Sequence, residues 1–310
     1  MKKPLVSVLI PVHNEEKIIE KTLKTMLDVK RKEYPRMEII VGSDSNDRTD
    51  DIVRKFRSVK LITSKERLGK AGMLKHMYKA AKGEIIIVHD ADWRFVSGGK
   101  FRNLVSIFDD PKVGGIDDYK SIPNRDLPTL SLGELFVNRF LYEYKIKKYS
   151  RKENGILYAR DNRFPFIVTI FRKNVVPFTQ ATLCDDGERA VQMMKKGYKV
   201  VIPTGDISYF VINYVKPLTM RSLYKQKKRC ALARKQMQNL YNEYDAGMLD
   251  FFIPAFLYSL WRSLAVKTKL SRLKIFSGVL TFWIISGIAD ITGKNINAST
   301  KEAWKMRCPR

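Results

Sequence analysis

Asp90-Ala91-Asp92 follows directly on the run Glu84-Ile85-Ile86-Ile87-Val88. Aliphatic residues that stop abruptly at two carboxylates have the pattern of a buried parallel strand carrying acids to its C-terminal edge, where open α/β sheets bind ligands. Two upstream segments repeat the pattern. Leu5 to Pro11 ends at Val12-His13-Asn14-Glu15-Glu16, and Met37 to Val41 ends at Gly42-Ser43-Asp44-Ser45-Asn46-Asp47. Three strands with polar tips at one sheet edge point to a nucleotide and metal site. Carboxylate oxygens are the ligands that Mg²⁺ and Mn²⁺ prefer. Alternate residues of an extended chain point opposite ways, so Asp90 and Asp92 need not share one task. Both acids could instead simply cap the segment that follows.

A further acidic pair, Asp185-Asp186, precedes a helical pattern. It could supply a general base, and acids in a first helical turn are favourable in any case. Gln226 and Arg229 stand three apart and share a helix face, where arginine can clamp a diphosphate. Six of the eleven residues from Lys225 to Lys235 are Lys or Arg, so the same helix could instead lie on lipid head groups. Lys70 beside Gly69 either reaches a nucleotide or covers surface. Glu15 contacts a base or ribose, or is a plain first-turn acid. His13, His76 and His89 lack metal-ligand spacing. His13 lies near the expected nucleotide, His89 is expected beneath the sheet edge, and Trp93 either stacks on a sugar or packs a pocket wall.

The elements that must hold these residues alternate. Helical periodicity is expected over Glu15 to Val29 (capped by Asn14), Asp50 to Phe56 and Gly69 to Ala81, with a short strand at Val59 to Ile62. This rhythm predicts a mostly parallel sheet. Further on, Val113 to Ile116, Phe166 to Phe171 and Tyr198 to Pro203 read as strands. Leu132 to Lys148, Asp185 to Lys196 (closed by Gly197) and Lys225 to Gln238 read as helices. The last third differs. Phe251 to Trp261 and Ile275 to Ala289 are uncharged runs of 11 and 15 residues separated by Arg262, Lys267, Lys269, Arg272 and Lys274. Each is shorter than the ~20 residues of an upright membrane span. The readings are attachment to an anionic membrane surface, a tilted span, or two buried helices packed on the preceding domain.

These motifs, in this order, resemble the inverting family-2 glycosyltransferases over about residues 4 to 235. The resemblance rests on Ser7 to Glu16, Gly42 to Thr49, Gly69 to Lys75, Asp90-Ala91-Asp92, Cys184-Asp185-Asp186 and Gln226 to Cys230. It implies a GT-A nucleotide-sugar-binding fold over residues 1–240, with a membrane-associating helical region over 241–310. It implies Asp186 as catalytic base beside Asp185, with Arg229 on the leaving diphosphate. Asp92 would contact Mg²⁺ or Mn²⁺, with Asp90 as second ligand or ribose contact. Pro11, His13, Asn14, Glu15, Ser43, Asp44, Lys70, Asp90, Gln226 and Arg229 would line the site of a nucleotide sugar, UDP-linked by this resemblance. The acceptor would be lipid-linked or a glycan. Two departures stand out. Gly42-Ser43 replaces the family's paired acids, so that Asp44 would take the base contact. Cys230 replaces a tryptophan, which argues against processive polymer extrusion.

Composition narrows the alternatives. The 310-residue chain carries a net charge of +26 and three cysteines, Cys184, Cys230 and Cys308. Few, unpatterned cysteines fit a reducing compartment. No signal peptide precedes the first strand, so the expected location is the cytoplasmic face of the cell membrane. A nucleic-acid partner fits the charge but not carboxylates gathered at three strand ends, which repel phosphate unless a cation intervenes.

Overall fold

The computed structural model describes residues 3–96, 99–117, 127–160, 167–177, 182–203, 209–212, 217–241, 252–266 and 269–293. Phe166, Lys267 and Cys308 lie outside the described residues.

Strands β1 (Val6–Val12), β2 (Met37–Ser43), β3 (Val59–Thr63) and β4 (Ile85–Val88) alternate with helices α1 (Ile19–Lys32), α2 (Thr49–Arg54) and α3 (Gly69–Ala80). They are parallel, in the order β3-β2-β1-β4. After β5 (Trp93–Val96), α4 (Phe101–Ser106) and β6 (Val113–Ile116) comes the long helix α5 (Thr129–Tyr149). Then follow β7 (Ser150–Glu153), β8 (Ile156–Ala159), β9 (Ile170–Arg172), α6 (Asp185–Lys195), β10 (Lys199–Ile202) and β11 (Tyr209–Ile212). The main sheet continues beyond β4 as β9-β6-β10-β8-β7, and β11 pairs with β5 separately. The parallel rhythm holds through β4. β9 enters antiparallel between β4 and β6, and the β7–β8 hairpin closes the far edge.

Period-two alternation with both faces covered explains the strand sequences. Val6, Val8, Ile10, Ile39, Val41, Ile85 and Ile87 face Ile19, Leu23 and Met26 of α1. Leu9, Ile40, Ile86 and Val88 face Met73, Leu74 and Met77 of α3 and Ala190 and Met193 of α6. A doubly covered sheet needs near-continuous aliphatic strands, which is what β1, β2 and β4 are. Trp93 is buried in the first of these cores, so it packs a wall.

Helix boundaries differ from the sequence pattern in one instructive place. Asn14 does not cap α1: it adopts a left-handed φ of 59°, and α1 starts only at Ile19 with no side-chain cap. The Asn14 amide oxygen is already taken, accepting from the Asn46 N–H at 3.0 Å.

Helices α7 (Met220–Leu240), α8 (Ile253–Leu264) and α9 (Lys269–Gly293) follow. α7 opens with a capping box in which Thr219 and Ser222 satisfy each other's backbone N–H groups. α9 shares a core with α5 and α7 made of Leu132, Phe136, Val137, Phe140, Leu223 and Phe282, among others. At the α5–α9 crossing two glycines meet: a Cβ on Gly133 would stand 2.3 Å from the Gly278 backbone.

Candidate active site

In the parallel register Val12 pairs with Ser43 and Leu9 with Val88. The loops after β1, β2 and β4 therefore leave one edge. The first two are tied together. The Asn14 N–H donates to Ser45 Oγ at 3.0 Å, the Glu15 N–H to Thr49 Oγ1 at 2.9 Å and the Glu16 N–H to Asp47 Oδ2 at 3.3 Å. Ser43 is fully buried, and its hydroxyl bonds to Ser45 Oγ at 2.9 Å. Pro11 pairs in register with Gly42 and is half-buried.

Gly42 explains the missing acid pair. A Cβ there would lie 2.4 Å from Met77 Sδ and 2.6 Å from Met73 Cγ. The α3 helix packs directly against that backbone, and a carboxylate at 42 would point into an apolar interface. Asp44 is the first acid of the loop clear of α3. Its side chain is 2% exposed and accepts from the backbone N–H groups of Leu68 (3.0 Å) and Gly69 (2.9 Å) and from Arg67. His13 Nδ1 lies 2.9 Å from the Asp44 carbonyl oxygen and 3.0 Å from its carboxylate. Both are acceptors, so Nδ1 carries the proton.

Asp44 thus caps α3 across the fold. That helix has no side-chain cap of its own and begins at Gly69 with φ +70°. The anchored helix start presents Lys70, whose ammonium pairs with Asp90 at 2.7 Å. Asp92, two residues on, is 5% exposed. His89 is buried, and desolvation pulls its pKa down to about 4, so the imidazole is neutral.

Across the edge, α6 begins with Asp185 and Asp186. Asp185 is held by Arg189 at 3.3 Å, and Arg189 also donates to the Val168 carbonyl at 2.6 Å and stacks on Phe171. Asp186 is half-buried and accepts from the Gly187 N–H at 2.8 Å. Burial, then the neighbouring Asp185, raise its pKa above the ordinary carboxylate value; Lys70 and Arg189 pull the other way. Lys70 therefore pairs with Asp90 and also bears electrostatically on Asp186.

α7 rests on the start of α6. Leu232 and Ala233 pack on Leu183 and Cys184, and Gln236 accepts from the Leu183 N–H at 2.9 Å. Burial, Asp186 and Asp185 push the Cys184 thiol well up, with Cys230 adding to the effect. Cys230 accordingly lies near Cys184, at the start of α6. Gln226 and Arg229 are both half-buried on this helix. Much of α7 packs on protein rather than facing outward.

Three contributors were not singled out from sequence. Arg189 stands four residues after Asp185, a spacing that could have flagged the pair. Asp117 follows β6 as Asp90 follows β4, and is fully buried against Lys145 of α5. Arg67 left no signal beyond its charge. Among the described residues, no three His, Cys, Asp or Glu side chains gather as a metal-binding group. The oxygen donors available are Asp90 and Asp92, a set that suits a cation sharing its coordination with substrate phosphates.

A sheet edge of this kind, with acids at its strand ends and an acidic pair at a helix start opposite, is that of a nucleotide-binding α/β enzyme fold. The chain belongs to glycosyl transferase family 2, whose profile matches residues 7–172. It is 37% identical over 123 residues to a Bacillus subtilis (strain 168) protein described as "Probable glycosyltransferase YdaM", covering 36% of this chain and 29% of that protein. It is 31% identical over 130 residues to the beta-monoglucosyldiacylglycerol synthase of Nostoc sp., covering 39% of this chain and 27% of that protein. The matches span less than a third of those relatives' lengths. In overall fold it is similar to the mannosyltransferase PcManGT from Pyrobaculum calidifontis, solved with GDP-Man and Mn²⁺, at TM-score 0.59 and 17% identity over 94% of this chain and 88% of that one.

Proposed function

We propose that this chain transfers a sugar from a nucleotide sugar, UDP-linked by family resemblance, to a lipid-linked or glycan acceptor in a metal-dependent, inverting displacement. The observation that carries the reading is the convergence of Asp90, Lys70 and Asp186 at one sheet edge, within a family-2 chain. Residues 1–240 form the catalytic domain in this reading, and 241–310 attach it to the cytoplasmic face of the membrane.

The diphosphate gathers negative charge as it leaves. Asp92 and Asp90 would hold Mg²⁺ or Mn²⁺, which neutralises that charge when bound. The similar mannosyltransferase was solved with Mn²⁺. Lys70 holds Asp90 in place and lends positive potential to the same region. Arg229 contributes a fixed cation for the diphosphate, and Gln226 faces the acceptor. The loops carrying Pro11, His13, Asn14, Glu15, Ser43 and Asp44 receive the nucleoside, with their geometry set by hydrogen bonds between the two loops.

The acceptor hydroxyl must lose its proton as it attacks. Asp186 takes that proton, because Asp185 is committed to Arg189. Its raised pKa makes it a stronger base than an ordinary aspartate.

The test is nucleotide release from UDP-, GDP- and dTDP-sugars with Mn²⁺ or Mg²⁺, with and without lipid extract, using Asp92→Ala and Asp186→Ala as controls. Lipid-stimulated release from one donor, absent in both variants, is expected. Equal release by wild type and the Asp186 variant would overturn the assignment of the base.

A further inference from the structure

Helix α8 is built inside out. Along α8, the residues facing the protein are Ala255, Ser259 and Ser263, all fully buried. Those facing outward at helical spacing are Ile253, Leu257, Trp261 and Leu264, with Leu257 58% and Trp261 60% exposed. A helix of a water-soluble domain puts its large apolar residues inward. Small residues inward and large aliphatics outward is the arrangement of helices whose surroundings are lipid. The buried hydroxyls cost little, because Ser259 donates to the Ala255 carbonyl and Ser263 to the Leu260 carbonyl, both at 2.7 Å.

α9 is apolar on both sides. Ile275, Val279, Phe282 and Ile285 are buried against α5 and α7, and Gly278 meets Gly133, while Leu273, Ile284, Ile288 and Ile291 are exposed. One stretch of it, Arg272–Gly293, is long and apolar enough to cross a membrane. Its neighbours argue against crossing. α7 carries seven Lys or Arg in 21 residues and packs against the last three turns of α9. Arg234 pairs with Asp290, Tyr224 hydrogen-bonds Thr292 at 2.9 Å, and a Cβ on Gly293 would stand 3.0 Å from the Lys228 carbonyl. A bilayer enclosing α9 would have to strip away that basic helix or bury its charges in hydrocarbon, and either is costly.

We infer that α8 and α9 form a monotopic attachment face: their exposed aliphatic stripes enter one leaflet of an anionic bilayer and neither helix crosses it. The rim is cationic. Lys147 lies over the Tyr258 ring at 5.0 Å, and Arg272 and Lys274 stand at the start of α9; Arg262 sits beside Trp261 and is paired with Glu143 at 3.0 Å. That charge selects anionic head groups over a second copy of the chain, whose equivalent face would bring cations against cations. Trp261 on the apolar stripe, beside Arg262, suits the head-group boundary. The inference does not depend on the sugar-transfer reading, since membrane binding is measured without donor or acceptor.

The experiment uses the full chain with small tags at both ends. It measures flotation with vesicles of phosphatidylcholine alone and with added phosphatidylglycerol, and tryptophan quenching by brominated lipid. Leu257→Gln/Trp261→Gln leaves the charge and the buried stripe intact, and a thermal melt checks its folding. Wild type should float with the anionic vesicles, and the double variant should lose roughly tenfold or more of that binding with an unchanged melt. Protease added outside sealed vesicles should remove both tags. Flotation that is absent in wild type, or unchanged in the variant, would overturn the inference. So would a protected C-terminal tag beside a cleaved N-terminal one, which would mean a crossing helix. A vesicle-independent dimer that the variant dissociates, without vesicle binding, would assign the face to self-association instead.

Discussion

At the scale of single residues, Asp186, as the proposed base, would combine catalysis and stability in opposite senses. Its folded pKa is raised above the ordinary 3.8. The folded state therefore binds that proton more tightly than the unfolded chain. The ionised carboxylate weakens the fold once the pH rises above the unfolded value, and nothing is lost below it. Asp186→Asn should raise the melting temperature at neutral pH, with the gain over wild type vanishing in acid, while turnover falls by roughly 10²–10⁴-fold. Thermal melts across pH, beside nucleotide release, check both halves. Lys70 lowers the Asp186 pKa. Lys70→Met should accordingly move the acidic limb of the kcat/KM profile to higher pH; an unmoved limb would separate Lys70 from the base.

At the scale of elements, two of the contacts that fasten α5 to the rest of the fold can be tested separately. One is the Asp117–Lys145 pair, whose side chains are 0% and 7% exposed. Asp117 also accepts from the Ile167 N–H at 3.3 Å, next to Val168, whose N–H meets the Asp186 carbonyl. Lys145→Met leaves a carboxylate buried and uncompensated, and should cost about 3–5 kcal/mol in urea unfolding. Asp117→Asn/Lys145→Met should recover part of that loss. The other contact is the glycine crossing of α5 and α9. Gly278→Val places a side chain 2.3 Å from the Thr129 carbonyl oxygen and should cost about 1–3 kcal/mol or more. Because the α5–α9 seam also positions the exposed stripe of α9, the same variant should weaken vesicle flotation.

For the whole molecule, charge and exposed apolar surface act together. In the proposed attachment, a net charge of +26 would draw the chain to anionic surfaces, and aliphatic stripes on α8 and α9 would retain it there. The two parts respond differently to salt. Raising ionic strength from about 0.1 M to about 1 M shortens the screening length from ~10 Å to ~3 Å. Flotation with anionic vesicles should weaken over that range without vanishing, because the apolar contribution is not screened. Complete release at high salt would show that the stripes do not insert.

The sequence alone determined the parallel strands and the acids at their ends. Runs such as Ile85 to Val88 can be buried on both faces only inside a covered sheet, and carboxylates can end such runs only at its edge. Order and spacing carried the family resemblance for the same local reason. What tertiary structure decided is long-range. Gly42 and Asp44 differ in kind because α3 lies on one and is capped by the other, across 24 residues of chain. Asn14 fails as a cap because Asn46 claims its oxygen. Asp185 and Asp186 are alike as neighbours in sequence, and become distinct only when Arg189 engages the first and burial raises the second. The outward direction of Leu257 and Trp261 was equally hidden. An uncharged run shows no polarity of its own, and only the packing of Ala255, Ser259 and Ser263 inward chooses the face.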